Sequence, residues 1–113
     1  MKTKTLLALP VLLAVSLCAR AEAPAAAASD ATISIRDFSF APMSTTVAVG
    51  TTVRWKNLDG EPHTVRSVDT SFRSDPLDQN DSFAFKFDKP GTYRYVCSIH
   101  PQMVGTIVVK AAN

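Results

Sequence analysis

From Thr32 onward, apolar and polar residues alternate in short runs separated by turn residues. Thr32–Arg36 puts Ile33 and Ile35 on one face, and Thr45–Val49 does the same with Val47 and Val49. After Gly50, Thr51–Asn57 sets Val53 and Trp55 against Arg54 and Lys56. Thr64–Val68, Ser82–Phe87, Thr92–Val96 and Thr106–Val109 continue the pattern, and Lys89-Pro90-Gly91 marks a turn. A period of two is the signature of strands with one buried face. Seven such runs, about ten residues apart and without helical periodicity, predict an all-β fold. The expected architecture is an antiparallel two-sheet sandwich of seven to eight strands. Phe38, Phe40, Trp55, Phe83, Phe85 and Phe87 are assigned to its core. The polar stretch Asp69–Asp81, interrupted by Asp75-Pro76, is open to either a turn of helix or a short edge strand.

The N-terminus follows a different rule. Lys2 and Lys4 precede an apolar run, Leu6–Leu17, which ends in Ala19-Arg20-Ala21. A charged start, a short apolar segment and an A-x-A site predict a cleaved signal peptide over residues 1–21 and export to the periplasm. The run is short for a membrane-spanning helix. Val15-Ser16-Leu17-Cys18 resembles a lipoprotein cleavage site, which leaves a lipid-anchored form as the alternative. Residues 22–30 are an Ala/Pro-rich linker, and residues 31–113 form one domain. Cleavage changes the charge. Three of the 12 basic residues lie in the leader, leaving nine against ten acidic ones. With no basic run left, nucleic acid is excluded as a partner.

Cleavage also removes Cys18, so Cys97 has no partner for an internal disulfide. A lone thiol in an oxidising compartment is either reactive or employed. Cys97-Ser98-Ile99-His100-Pro101-Gln102-Met103 suggests employment, because its C-x2-H-x2-M spacing brings a thiolate, an imidazole and a thioether into one tight loop. Only one other histidine exists, His63. Two His and one Cys around a metal, with a weak axial Met, suit copper moving between Cu(I) and Cu(II). Pro62 and Pro101 adjoin the two histidines and stiffen both loops. Asn57 and Thr64 are candidates for bracing the ligands from behind. Two other readings use the same residues: a Cys–His nucleophile pair, or zinc on Cys97, His63 and His100 with an open position. Neither gives Met103 a role.

At these residues the chain resembles the cupredoxins, small blue copper proteins of the amicyanin and plastocyanin type. The resemblance runs from about Thr32 to Lys110 and includes Trp55-Lys56-Asn57, Glu61-Pro62-His63-Thr64-Val65 and Gly91–Cys97. The short loop with Pro101 directly after His100 is similar to that of amicyanin. Thr64 stands where the family often has Asn, and Gln102 where amicyanin-type loops carry a bulkier apolar residue. The resemblance implies Greek-key connections and a mononuclear type 1 copper site on His63, Cys97, His100 and Met103. It further implies a monomeric one-electron carrier rather than an enzyme. Electrons would pass at the exposed edge of His100, within an apolar ring including Pro101 and Met43. The implied partners are transient: a redox protein donor, such as a dehydrogenase, and an acceptor, such as a c-type cytochrome. A periplasmic copper chaperone or buffer is the competing function.

Overall fold

The computed structural model describes residues 30–112, together with the isolated Ala8 and Pro10. Apart from those two residues and Asp30, the expected signal peptide and linker lie outside the described residues. Eight strands follow one another: β1 (Ala31–Arg36), β2 (Ser39–Ala41), β3 (Ser44–Ala48), β4 (Thr52–Asn57), β5 (Arg66–Ser67), β6 (Ser82–Lys86), β7 (Gly91–Val96) and β8 (Val104–Lys110). They form two four-stranded sheets, in the orders β2-β1-β4-β6 and β3-β8-β7-β5. The all-β two-sheet sandwich is therefore present, and the described residues contain no helix.

Pairing corrects the wholly antiparallel expectation. β1 runs parallel to β4, and β3 runs parallel to β8. The cause is connectivity. After the β1–β2 hairpin the chain crosses to the other sheet as β3, then returns beside β1 as β4, so β4 enters in the direction β1 already holds. Such crossovers join elements distant in sequence and leave no mark in local alternation.

Aromatic side chains fill the space between the sheets. Trp55 from the first sheet meets Tyr95 from the second edge-to-face at 5.4 Å, and Phe72 stacks on Trp55 at 5.5 Å. Trp55 and Tyr95 are wholly buried. A side chain of this size removes roughly 150–250 Å² from water, which stabilises by about 4–6 kcal/mol at 25 cal/mol per Å². Phe40 and Phe87 are in the core as expected, whereas Phe83 and Phe85 are half-buried on the edge strand β6. Phe38 is not core at all, being 45% exposed. It occupies the β1–β2 turn, where the alternation breaks.

Thr64–Val68 contributes only two residues of strand. Before them the backbone donors go elsewhere: the N–H of Thr64 faces Cys97 Sγ at 3.3 Å, and the N–H of Val65 donates to Ser74 Oγ at 2.8 Å. The stretch Asp69–Asp81 forms neither helix nor regular strand. Isolated bridges, His63 to Leu77 and Arg66 to Arg73, hold it down, and Phe72 and Leu77 anchor it in the core.

Gly105 lies across from Tyr95 in the β7–β8 ladder. A Cβ there would come within 2.2 Å of Tyr95 Cζ. Tyr95 cannot swing away, because Phe40 at 4.7 Å and Trp55 close its other sides. Gly105→Ala is therefore an overpacking change, expected to cost about 1–3 kcal/mol. Denaturant unfolding measures this, and an unchanged midpoint would mean that the ring has room to yield.

Candidate metal centre

Two loops at one end of the sandwich supply the chemistry. Cys97 follows the last residue of β7, and Met103 precedes the first residue of β8. Between them the loop bonds to itself: the N–H of Cys97 donates to the Met103 carbonyl at 3.1 Å, and the N–H of Met103 to the His100 carbonyl at 2.9 Å. His63 comes from the second loop, pinned to Leu77 by reciprocal backbone bonds of 3.1 and 2.7 Å. Its side chain is fully buried.

The donors converge. Cys97 Sγ lies 3.9 Å from His63 Nδ1 and 3.8 Å from His100 Nδ1. One ligand atom from each of the three residues lies within 4.8 Å of the others. Cys97 and His63 are buried, while His100 is half-buried at the surface. Thiolate and imidazole bind a small metal ion at roughly 2.0–2.3 Å. Donors spread in a plane at such lengths stand slightly under 4 Å apart, matching the two separations. A soft sulfur with two imidazoles suits copper. Met103 is buried and bonded through its backbone to both Cys97 and His100, so a thioether is available to the same loop.

Further hydrogen bonds lie behind the three converging side chains. Thr64 places its N–H on the sulfur, and its hydroxyl accepts the N–H of Ser98 at 2.8 Å and pairs with Ser98 Oγ at 2.7 Å. This stitches the two loops together. Asn57, wholly buried, donates to the carbonyls of Glu61 and Leu77, both at 2.8 Å, and accepts the N–H of Asp59 at 2.9 Å. Pro62 and Pro101 are exposed beside their histidines. Met43 is also exposed, with its carbonyl bonded to the N–H of Thr106.

Sequence reasoning missed two residues. Asp59 Oδ2 accepts the Nε2–H of His63 at 2.9 Å, which leaves Nδ1 as the free donor facing Cys97. A carboxylate behind a ligand imidazole fixes its orientation and raises its basicity. The available signal was a carboxylate four residues before His63, hidden in the turn-like Asp59-Gly60. Phe38 is the second, with its ring edge-on to both His63 and His100 at centroid distances of 5.1 Å.

Electrostatics follow from this packing. Burial pushes the Asp59 carboxyl up, but the N–H groups of Phe38 and Asp37 and the contact with His63 outweigh it. They hold the carboxyl below the ordinary range. Burial likewise pushes the Cys97 thiol up. The Thr64 N–H, His63 and His100 outweigh that, bringing it down to about 6. The shift favours the thiolate, the form in which a cysteine sulfur binds a metal.

A depressed acid contributes stability that is complete above its unfolded value and lost as pH falls through its folded one. The melting temperature of the metal-free protein should rise between pH 6 and about 8.5, the ordinary thiol value. Cys97→Ser should flatten that rise; the same slope in the mutant would assign it to another group. Asp59→Ala should lower copper affinity by about 10–100-fold through loss of His63 orientation. Competition against a chelator reads this, and wild-type affinity would show that His63 is held well enough by Leu77.

Comparison with known proteins agrees with the geometry. The profile of the Cupredoxin-like domain matches residues 6–109. Amicyanin-alpha of Methylorubrum extorquens is 32% identical over 94 residues, covering 79% of this chain and 76% of that protein. Among solved structures, a purple cupredoxin from Nitrosopumilus maritimus is similar with a TM-score of 0.67 and 36% identity, over 72% of this chain and all of that one. The copper-containing nitrite reductase of Thermus scotoductus has a TM-score of 0.70 and 31% identity, but this chain covers only 23% of its length. The fold is thus also found as one part of a larger enzyme. With a matching profile, an amicyanin relative matched over most of its length and a His–Cys–His cluster at the end of a two-sheet sandwich, the chain belongs to the cupredoxin-like family.

Proposed function

We propose that this protein is a periplasmic blue copper electron carrier that catalyses no reaction of its own. The observation that carries the reading is the convergence of His63 Nδ1, Cys97 Sγ and His100 Nδ1 at the end of a rigid sandwich. In this reading those three residues would hold the ion, and the Met103 thioether would be a further, weaker ligand. Copper bound there supplies a one-electron step between Cu(I) and Cu(II).

The remaining work belongs to the chain. Asp59 and the Leu77 bridge fix His63. Thr64 fixes Cys97, and the self-bonded loop fixes His100 relative to Met103. Ligands held this way rearrange little when charge changes, and the cost of such rearrangement is what slows electron transfer. The buried Cys97, His63 and Met103 support a carrier over a chaperone, which has to open its site to pass copper on. The half-buried His100 is the ligand nearest solvent. Its apolar neighbours, Phe38 at 5.1 Å and the adjoining Ile99 and Pro101, suit a small transient contact with a donor or acceptor redox protein. The protein acts as a monomer, exported by cleavage of residues 1–21.

Absorption and EPR of the mature Cu(II) protein beside Cys97→Ser test the reading. An intense visible thiolate-to-copper band with narrow hyperfine splitting, abolished in the mutant, is the expected result. A pale spectrum indifferent to Cys97→Ser would remove the thiolate from the ligand set and turn the assignment toward copper buffering or zinc.

A further inference from the structure

The β1–β2 turn breaks a conformational rule. Arg36 pairs with Ser39, so only Asp37 and Phe38 form the loop. Both are left-handed, with φ of 52° and 56°. A two-residue hairpin of this kind requires positive φ at both positions and is normally built from Asn-Gly or Asp-Gly. A bulky side chain in that conformation is an outlier, and such outliers persist only where surrounding structure holds them.

Asp59 does the holding. Its carboxylate accepts the N–H of Asp37 at 2.8 Å and that of Phe38 at 3.0 Å. The oxygen that takes the Phe38 N–H, Oδ2, also takes the Nε2–H of His63. The turn is therefore fastened to the metal centre itself. Strain there is not explained by core packing, since Phe40 fills the interior and the Phe38 ring stays 45% exposed. What the ring gains is a position over the two imidazoles. It stands perpendicular to both, with interplanar angles of 90° and 89°. Edge-to-face contact at such distances is favourable for each ring.

We propose that Phe38 is a cover for the metal centre, a positioning residue that closes the solvent side of the His63–His100 pair. It hinders competing ligands, thiols and chelators above all, from reaching bound copper, and it restrains the partly exposed His100 from swinging off. The strained turn and the Asp59 clamp serve to keep an aromatic ring where glycine would be easier. The inference rests on the reading that His63, Cys97 and His100 hold copper.

Three substitutions separate the ring from the turn. Phe38→Ala keeps the conformational demand and loses the cover, Phe38→Gly loses both, and Phe38→Tyr keeps the ring. Each Cu(I)-loaded protein is mixed with excess bathocuproine disulfonate, and copper transfer is followed by stopped flow. Alanine and glycine should both release copper at least about fivefold faster than wild type, the loss of two edge contacts, and tyrosine should restore slow release. The metal-free Phe38→Gly protein should melt above Phe38→Ala, because glycine accepts positive φ at no steric cost. Release at the wild-type rate in both truncations, with the blue Cu(II) band intact, would overturn the cover alone. Absence of that band in the wild-type protein would bring down the copper reading, and the cover with it.

Discussion

A buried sulfur held toward its thiolate form needs polar partners, and one end of this sandwich is arranged around that need. Cys97 has no exposure to water, and an uncompensated charge there would be costly. The Thr64 N–H faces the sulfur at 3.3 Å, and two imidazole nitrogens stand 3.8 and 3.9 Å away, spaced to share a metal ion with it. The contacts that fix those donors come next in the hierarchy. Asn57 ties the loop before His63 to Leu77, Asp59 turns His63, and the Thr64 hydroxyl captures Ser98. The loop carrying the sulfur and the loop carrying its donors are bonded to one another, so neither has a reason to hold its shape alone.

Behind this end stands a stiff interior. Val96 and Val104 form the last rung of the β7–β8 ladder before the ligand loop begins. Tyr95, one residue further back, is wedged among Trp55, Phe40 and the bare backbone of Gly105. The positions of Cys97 and Met103 are inherited from that ladder. Close packing transmits small displacements instead of absorbing them. A change of side-chain volume at Gly105 therefore acts on the ladder from which both sulfur residues emerge.

Alternation alone located most strands to within a residue. Thr32–Arg36 corresponds to β1, Thr51–Asn57 to β4 and Ser82–Phe87 to β6. Each has one face against the partner sheet, and that asymmetry is written locally. Parallel pairing was not visible, because it depends on which sheet a strand joins after a crossover. β2 was not visible either, since three residues make no pattern. Phe38 misled for a particular reason. It shares parity with Phe40, which puts both on one face of a continuous strand, but the left-handed turn at Asp37 and Phe38 breaks the parity. At the candidate centre, the convergence was legible because Cys97, His100 and Met103 come from a single segment. His63 followed as the only other histidine. Asp59 was obscure because a carboxylate beside glycine reads first as a solvated turn.

The brevity of β5 has a meaning for life in solution. Beyond its two residues the backbone donors of Thr64 and Val65 are already engaged, one by sulfur and one by Ser74. At this edge the second sheet thus ends in a strand too short to offer a neighbouring molecule a continuous row of hydrogen-bonding groups, and short edge strands are one way β proteins avoid pairing edge to edge. The chain that follows closes what remains: Arg66 bridges to Arg73, and the N–H of Ser67 donates to the Phe72 carbonyl at 3.0 Å, so the loop that returns to His63 also covers this border against aggregation.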